Sequence, residues 1–183
     1  MDDPAAAIKG DREAFARLYR QYARAVFVDL AARLGRREDA EDALQATFLA
    51  AWTNLPRLRR PDRFVPWLFR IARNKAKDQA RRRRLGLVTL LPADVPAPAT
   101  AERPDLEAMR ALVDGLQPKT RAIVLLRALE GWSAEDVAAV HRLSVATVRR
   151  RYAKALEHLR AGLERRFLDE DDIRHRASDR VRL

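Results

Sequence analysis

The stretch that decides the fold runs from residue 38 to residue 84 and reads EDAEDALQATFLAAWTNLPRLRRPDRFVPWLFRIARNKAKDQARRRR. Placed on a helix, its first part separates apolar from acidic residues. One face holds Ala40, Ala43, Leu44, Thr47, Phe48 and Ala51, and the other holds Glu38, Glu41, Asp42 and Gln45. The first face is predicted to be core, and the second is predicted to be an acidic surface.

A proline-containing segment then interrupts the helix. Pro56 and Pro61 each lack an amide donor and disfavour helix at the preceding residue. The segment Leu55–Arg63 is therefore predicted to be a loop, and it is basic because it contains Arg57, Arg59, Arg60 and Arg63.

From residue 63 onward the helical period returns. Phe64, Trp67, Leu68, Ile71 and the stem of Lys75 share one side, whereas Arg70, Arg73, Asn74, Lys77 and Arg81 share the other. The helix ends in four consecutive arginines. A cationic face beside a loop with cations and aromatic rings can neutralise phosphates and stack on unpaired bases.

The order of acidic helix, basic loop and aromatic-basic helix resembles region 2 of a bacterial RNA polymerase sigma factor of the extracytoplasmic-function (ECF) group. The resemblance rests on residues 39–52, DAEDALQATFLAAW, and 64–74, FVPWLFRIARN. It implies that the acidic helix docks on the clamp of the polymerase β′ subunit and that the loop and basic helix capture the promoter −10 element. Ala46 departs from the family, where Glu is common.

The residues expected at these interfaces follow from the resemblance. For the polymerase they are Asp39, Glu41, Asp42 and Gln45; for the −10 element they are Arg57, Arg59, Arg60, Arg63, Phe64, Arg70, Arg73, Asn74, Lys77 and Arg81. Phe64 or Trp67 is expected to stack on an unpaired base. Trp67 lies at a core-facing angle, however, so packing is its stronger interpretation.

The chain before this stretch predicts one more core helix. Apolar residues recur at intervals of three and four as far as Leu34, Asp11 or Gly10 can start the helix, and Gly35 follows as a natural stop. The matching sigma-factor helix supports the two helices that carry the interfaces.

The C-terminal half predicts a helix-turn-helix. Gln117-Pro118 begins a helix, Ser133 and Ser144 are candidate N-caps, and 141–143 form a short turn. Inward positions are expected at Leu106, Met109, Leu112 and Val113, at Ile123 to Leu126 and Leu129, at Val137, Ala138 and Val140, and at Val145, Val148, Tyr152, Ala155, Leu156, Leu159 and Leu163.

Residues 116–155 resemble sigma region 4, which reads the −35 element. The resemblance implies DNA contacts from Ser144, Ala146, Thr147, Arg149, Arg150, Arg151 and Lys154. His141 stands at a turn position where Gly is frequent, so a left-handed histidine is one expectation. The run Arg149–Arg151 is more basic than usual, which favours phosphate binding over base discrimination.

The predicted fold is all-α, with two small helical domains. Region 2 is expected at 1–84, a proline-rich linker at 85–105, region 4 at 106–167, and a charged, disordered tail at 168–183. Apolar residues at Leu87, Val88, Leu90 and Leu91 suggest that part of the linker packs on a domain or on the polymerase.

Composition excludes several classes of site. The chain has no cysteine, and its three histidines, His141, His158 and His175, lack ligand spacing, so no metal or cofactor is expected. No apolar run is long enough to span a bilayer. We expect a cytoplasmic protein without a catalytic site, linked to membranes only through a partner.

The net charge of +11 is concentrated in two modules, +9 in residues 1–84 and +5 in residues 106–167. This distribution suits a polyanion contacted at two places. The expected partners are core RNA polymerase, through its β′ and β subunits, promoter DNA, and an anti-sigma factor. Alternatives are a free-standing helix-turn-helix regulator, a nuclease and a membrane-surface protein.

Overall fold

The computed structural model describes the backbone of residues 4–85 and 104–180, and over these ranges the chain is helical with no strand. The predicted all-α class is confirmed. The helices are α1 (Pro4–Ile8), α2 (Arg12–Leu34), α3 (Arg37–Asn54), α4 (Phe64–Arg84), α5 (Pro104–Asp114), α6 (Pro118–Ala128), α7 (Ala134–His141) and α8 (Val145–Arg180).

Helix α2 begins and ends where its sequence signals predict. The Asp11 carboxylate accepts hydrogen bonds from the amides of Glu13 (2.8 Å) and Ala14 (3.0 Å), and Gly35 closes the helix at φ 73°. Helix α1 was not predicted. It packs against the 3-10 turns Leu55–Arg57 and Pro61–Arg63, which form the expected basic loop.

The predicted core face of α3 is confirmed, because every member is buried except Leu44, which is half-buried. The buried Thr47 hydroxyl donates a hydrogen bond to the Ala43 carbonyl of the same helix at 2.6 Å. The core face of α4 differs slightly from the prediction. Its buried residues are Phe64, Leu68, Phe69, Ala72 and Ala76, whereas Trp67, Ile71 and Lys75 are half-buried.

Helices α5 to α8 form the C-terminal module. Ser133 and Asp136 make the predicted capping box at the start of α7. Three predicted core residues are instead exposed: Leu106 (61%), Leu129 (61%) and Leu156 (41%). Their apolar faces are not covered by the described part of the chain.

The turn of the helix-turn-helix corrects one expectation. The left-handed residue is Arg142, at φ 56°, and not His141, which is the last residue of α7 and is buried. Arg142 donates its amide to the Ala138 carbonyl and so ends α7, after which Ser144 caps α8.

The boundaries at the linker and the tail also differ from the prediction. Helix α8 continues to Arg180, so the expected disordered tail is helical over most of its length. Helix α5 begins at Pro104, at the end of the expected linker. Residues 86–103, with the linker leucines and valine discussed above, lie outside the described residues.

The two modules share one continuous hydrophobic core. Helix α6 packs along α2, and α7 packs on α4. Phe69 of α4 meets Trp132, which precedes α7, at 5.2 Å between ring centroids. Helix α7 and the segment before it therefore lie directly against the N-terminal module.

Candidate polymerase and DNA interfaces

The acidic surface of α3 is present in the structure. Glu38, Glu41, Asp42 and Gln45 are all exposed, and Glu41 accepts a hydrogen bond from Arg37 at 2.7 Å. Leu49 is 70% exposed one turn beyond Gln45, on the same side of the helix. Leu49 was not among the residues predicted for this surface. Its place in the same stripe of helical positions was the signal that could have found it.

Asp39 does not belong to that surface. Its side chain is only 10% exposed, accepts a hydrogen bond from Gln79 at 3.1 Å and lies 3.7 Å from Arg83. It joins the start of α3 to the end of α4. Asp39 therefore has a structural role and is not part of the acidic surface.

The basic loop exposes all four of its arginines. Arg60 makes two hydrogen bonds to the carboxylate of Asp62, at 2.7 and 3.2 Å, and Arg63 lies 3.6 Å from the same group. The bond from Arg60 lowers the pKa of Asp62. Asp62 thus holds two of the cations in place while partly offsetting their charge.

Phe64 is not available for base stacking, because it is 1% exposed. Its ring packs against Tyr22 at 5.9 Å and Trp67 at 6.0 Å. Trp67 is only half-buried and forms part of a surface groove of about 650 Å³. The groove is lined by Ala50, Asn54, Arg57, Trp67, Arg70, Ile71, Asn74, Lys75 and Asp78.

The cationic face of α4 is exposed at Arg70, Asn74, Lys77 and Arg81, as predicted. Arg73 differs from them, because it is half-buried and donates a hydrogen bond to the carbonyl of Val140 in α7. Burial lowers the pKa of Arg73, and neighbouring cations lower it further. The sequence alone could not show this, because the acceptor is 67 residues away.

The start of α8 presents the predicted DNA-reading residues in different ways. Ala146, Arg150 and Lys154 are exposed, while Arg151 is half-buried and Arg149 binds Glu135 at 2.9 Å. Ser144 accepts a hydrogen bond from the Thr147 amide at 3.1 Å, and their hydroxyls are 2.8 Å apart. Ser144 is therefore occupied as the cap of the helix.

The C-terminal module has a second surface, which the sequence did not predict. An apolar groove of about 520 Å³ lies between α5, α6 and α8. Its walls include the exposed residues Leu129 and Leu156, with Met109, Val113 and Leu163 beside them. An apolar groove of this kind can receive the apolar face of a helix from another protein.

A buried polar cluster was also missed. Asp29 of α2 is fully buried and accepts two hydrogen bonds from Arg33, at 2.8 and 3.0 Å. His141 Nε2 lies 3.3 Å from Asp29 Oδ1, but the atoms are not aligned for a hydrogen bond. Burial lowers the pKa of His141 to about 4; Asp29 opposes this shift, and the cations Arg33, Arg73 and Lys119 add to it.

Comparison with known proteins identifies the modules. The family model for sigma-70 region 2 matches residues 13–85, and the model for sigma-70 region 4 matches residues 106–159. The sigma factor CarQ of Myxococcus xanthus is 36% identical over 156 residues, covering 82% of this chain and 90% of CarQ. CnrH of Cupriavidus metallidurans is 34% identical over 177 residues, with 87% and 92% covered.

Solved structures agree with these relatives. A structure of CnrH in complex with the cytosolic domain of CnrY matches with a TM-score of 0.64 at 30% identity, covering 88% of this chain and 94% of that one. The chain belongs to the sigma-70 family of RNA polymerase sigma factors, in the ECF group. It is a transcription initiation factor that binds core RNA polymerase and directs it to promoters.

Over 4–85 and 104–180, no helix is long and apolar enough to cross a membrane. Within the same ranges, no group of three or more histidine, cysteine or acidic side chains is placed to hold a metal ion.

Proposed function

We propose that the three exposed surfaces divide the work of a sigma factor between them. The α3 surface, Glu41, Asp42 and Gln45 with Leu49 added, binds the β′ clamp. The basic loop and the exposed cations of α4 hold the −10 strand, and the start of α8 contacts the −35 duplex. In this proposal region 2 keeps its predicted bounds of residues 1–84, and region 4 keeps residues 106–167.

The observation that carries this assignment is the juxtaposition within the N-terminal module. An acidic face with an exposed leucine lies on α3, and the adjoining loop and helix carry arginines around a groove that contains Trp67. Acidic groups are complementary to a basic protein surface, and an exposed leucine adds an apolar contact. Arginines can bind the phosphates of single-stranded DNA while an accessible indole stacks on its bases. Trp67 replaces Phe64 as the candidate stacking residue.

The apolar groove of the C-terminal module is proposed as the contact for the polymerase β subunit. Leu129 and Leu156 border the groove and are exposed in the chain alone. Apolar groups in a protein surface groove are typical of helix-in-groove recognition. This surface lies apart from Arg150 and Lys154, so DNA and polymerase can be bound together.

An anti-sigma factor is proposed as the regulating partner. The relative CnrH, 30% identical in its solved structure, is in complex there with the cytosolic domain of CnrY. By analogy, a cytoplasmic protein domain would hold this chain away from polymerase. We further infer that the chain works in the cytoplasm and has no catalytic site of its own.

Start-site mapping tests the function as a whole. Transcripts made by core polymerase on genomic DNA, with and without the chain, should reveal start sites that depend on it. Those sites would supply the −35 and −10 sequences used in the experiments below. If no start site depends on the chain, the proposed division of work fails.

Strand opening is tested separately with Arg59→Ala combined with Arg60→Ala. The double variant should bind core polymerase normally but lose permanganate reactivity of unpaired thymines at a mapped promoter. Arg12→Ala with Arg20→Ala removes two exposed cations from α2 and is the matched control. Normal opening by the loop variant would leave the loop as a connector only.

A further inference from the structure

An ion pair joins the two helices of the helix-turn-helix at their exposed edge. The Nη2 atom of Arg149 in α8 donates to Oε1 of Glu135 in α7 at 2.9 Å, although the two residues are 14 positions apart in the chain. Both side chains are largely exposed, at 68% for Arg149 and 58% for Glu135. An ion pair with this exposure adds little to the stability of a fold. Its main effect is therefore to fix the place of the guanidinium.

Both members of the pair are carried by well-anchored backbone. Glu135 is the second residue of α7, and the capping box of Ser133 and Asp136 holds that turn. Val137, two residues after Glu135, is fully buried, and so is Val148, the neighbour of Arg149. The two helices therefore keep the carboxylate beside the guanidinium, and only side-chain torsions are left to vary.

The three consecutive arginines of α8 have different surroundings. Successive helical residues are ~100° apart, so Arg149 and Arg151 lie on opposite flanks of Arg150. Among the described residues, Arg149 forms an ion pair, whereas no ion pair involves Arg150 or Arg151. On the second flank, burial lowers the pKa of Lys119, and the charge of Arg151 lowers it further. One flank of α8 thus has its cation paired with an acid, and the other carries two cations.

A guanidinium held by a carboxylate suits a base better than a phosphate. Arginine has five N–H donors, and the bond to Glu135 uses one of them. Enough donors remain for the bidentate contact that arginine makes to O6 and N7 of guanine. A phosphate bound to Arg149 would instead lie close to the Glu135 carboxylate, and the two negative charges repel each other. Both effects become stronger when the groove excludes water.

We propose that Glu135 is a positioning residue for DNA reading, which directs Arg149 to a guanine in the major groove and away from the phosphate backbone. The proposal rests on the −35 role given above to the start of α8. It assigns base reading to Arg149 and leaves Arg150 and Lys154 for phosphates. The basic composition of the run had favoured phosphate binding for all three arginines.

Single base-pair replacements in a −35 duplex test the proposal. The duplex comes from a mapped start site, and its dissociation constant with the full chain is measured by anisotropy at several salt concentrations. The parent should prefer guanine at one base pair by about tenfold, which is the usual scale for a bidentate contact. Arg149→Ala should abolish that preference.

Two substitutions of Glu135 separate its hydrogen bond from its charge. Glu135→Ala removes both, so the preference should fall to about twofold, and the salt dependence should rise by about one unit because Arg149 becomes free to bind a phosphate. Glu135→Gln removes the same charge, but its amide oxygen still accepts from Arg149, so most of the preference should remain. Glu157→Ala is the matched control, since it removes an exposed acid from the outer face of α8 two turns beyond Arg150. It should keep the full preference.

The outcomes distinguish the positioning role from the −35 role. A preference that survives in Glu135→Ala, or that falls equally in Glu135→Ala and Glu135→Gln, would overturn the inference while the −35 role stands. The same holds if Arg149→Ala weakens binding to every duplex alike, because Arg149 would then be a phosphate contact. If the parent prefers no duplex and neither Arg150→Ala nor Lys154→Ala weakens binding, the −35 role itself fails. Circular dichroism checks that each variant is folded.

Discussion

At the scale of single residues, the most informative group is the buried carboxylate of Asp29. Leu18, Ala25, Asp29 and Ala32 are spaced so that they share one buried face of α2. A charge at such a position must be paired, and Arg33 supplies two hydrogen bonds. The carboxylate is therefore a structural group of the interface between the modules.

Asp29→Asn should lower the free energy of unfolding by about 3 kcal/mol, because the change leaves Arg33 without its bidentate partner. Urea denaturation followed by circular dichroism would measure the loss. Asp42→Asn, at an exposed position on α3, is the matched control and should change stability by less than about 0.5 kcal/mol. Equal losses in both variants would contradict a structural role for Asp29.

Acidification should destabilise the chain through His141. Its pKa is about 4 in the folded state and ordinarily 6.5, so the unfolded state binds more protons between these values. Stability is therefore retained above about pH 6.5 and falls as the pH drops toward 4. The loss between pH 7 and pH 5 should be about 2 kcal/mol larger in the parent than in His141→Gln. Urea midpoints at the two pH values measure it, and equal losses would contradict the prediction.

Sequence reasoning succeeded at residues whose role is local. Asp11, Gly35 and Ser133 cap helices through atoms two to four positions away, so their spacing was sufficient. The prediction that Leu129 and Leu156 are buried was wrong, because helical spacing identifies an apolar face but does not show whether another element covers it. The contacts of His141 and Arg73 could not be predicted for a related reason, since their partners belong to the other module.

At the scale of elements, α3 and α4 each bury one face and leave the other for function. Helix α3 exposes acidic groups and Leu49, and α4 exposes cations beside the groove with Trp67. Asp39 joins the two helices through Gln79 and Arg83, so the surfaces keep a fixed relation. The helical spacing of the residues was enough to predict both faces. The inward position of Asp39 could be seen only in the folded structure.

Reversing the charge at Asp42 should weaken binding to core polymerase about tenfold, because the docking surface loses an acidic group and gains a cation. Pulldown with purified core enzyme would measure the change, and circular dichroism would check the helix. Glu13→Arg, an exposed reversal on α2, should bind as the parent does. Unchanged affinity of Asp42→Arg would remove α3 from the docking surface.

The outer face of α8 gives a prediction about salt. Arg150→Ala and Lys154→Ala should each weaken binding to a −35 duplex and reduce the salt dependence of affinity by about one unit per lost phosphate contact. Titrations at several salt concentrations would give the slopes. Arg165→Ala, further along the same helix, should leave the slope unchanged. If all three variants share the parent slope, α8 does not face DNA.

At the scale of the whole molecule, the two modules behave as one body because their cores are continuous. The sequence predicted two domains, and the family models match two segments. Neither their separation in sequence nor the linker composition indicated that α6 and α7 would pack on α2 and α4. That packing depends on side chains that only meet in the folded chain.

The continuous core predicts a single unfolding transition. In a variant with Trp52→Phe and Trp67→Phe, Trp132 reports the contact with Phe69 alone. Its fluorescence should change at the same urea concentration as the helical circular dichroism signal. A Trp132 transition at clearly lower urea would show that the modules separate before they unfold.

The length of α8 has a mechanical consequence. Because residues 145–180 form one helix, the DNA-reading end and the C-terminal end belong to a single rod about 54 Å long. Such a rod is a lever with its fulcrum where α8 packs on α5 and α6. A tilt of about 10° would displace one end by ~9 Å relative to the other. A protein that grips the far end could therefore steer the reading end without touching DNA.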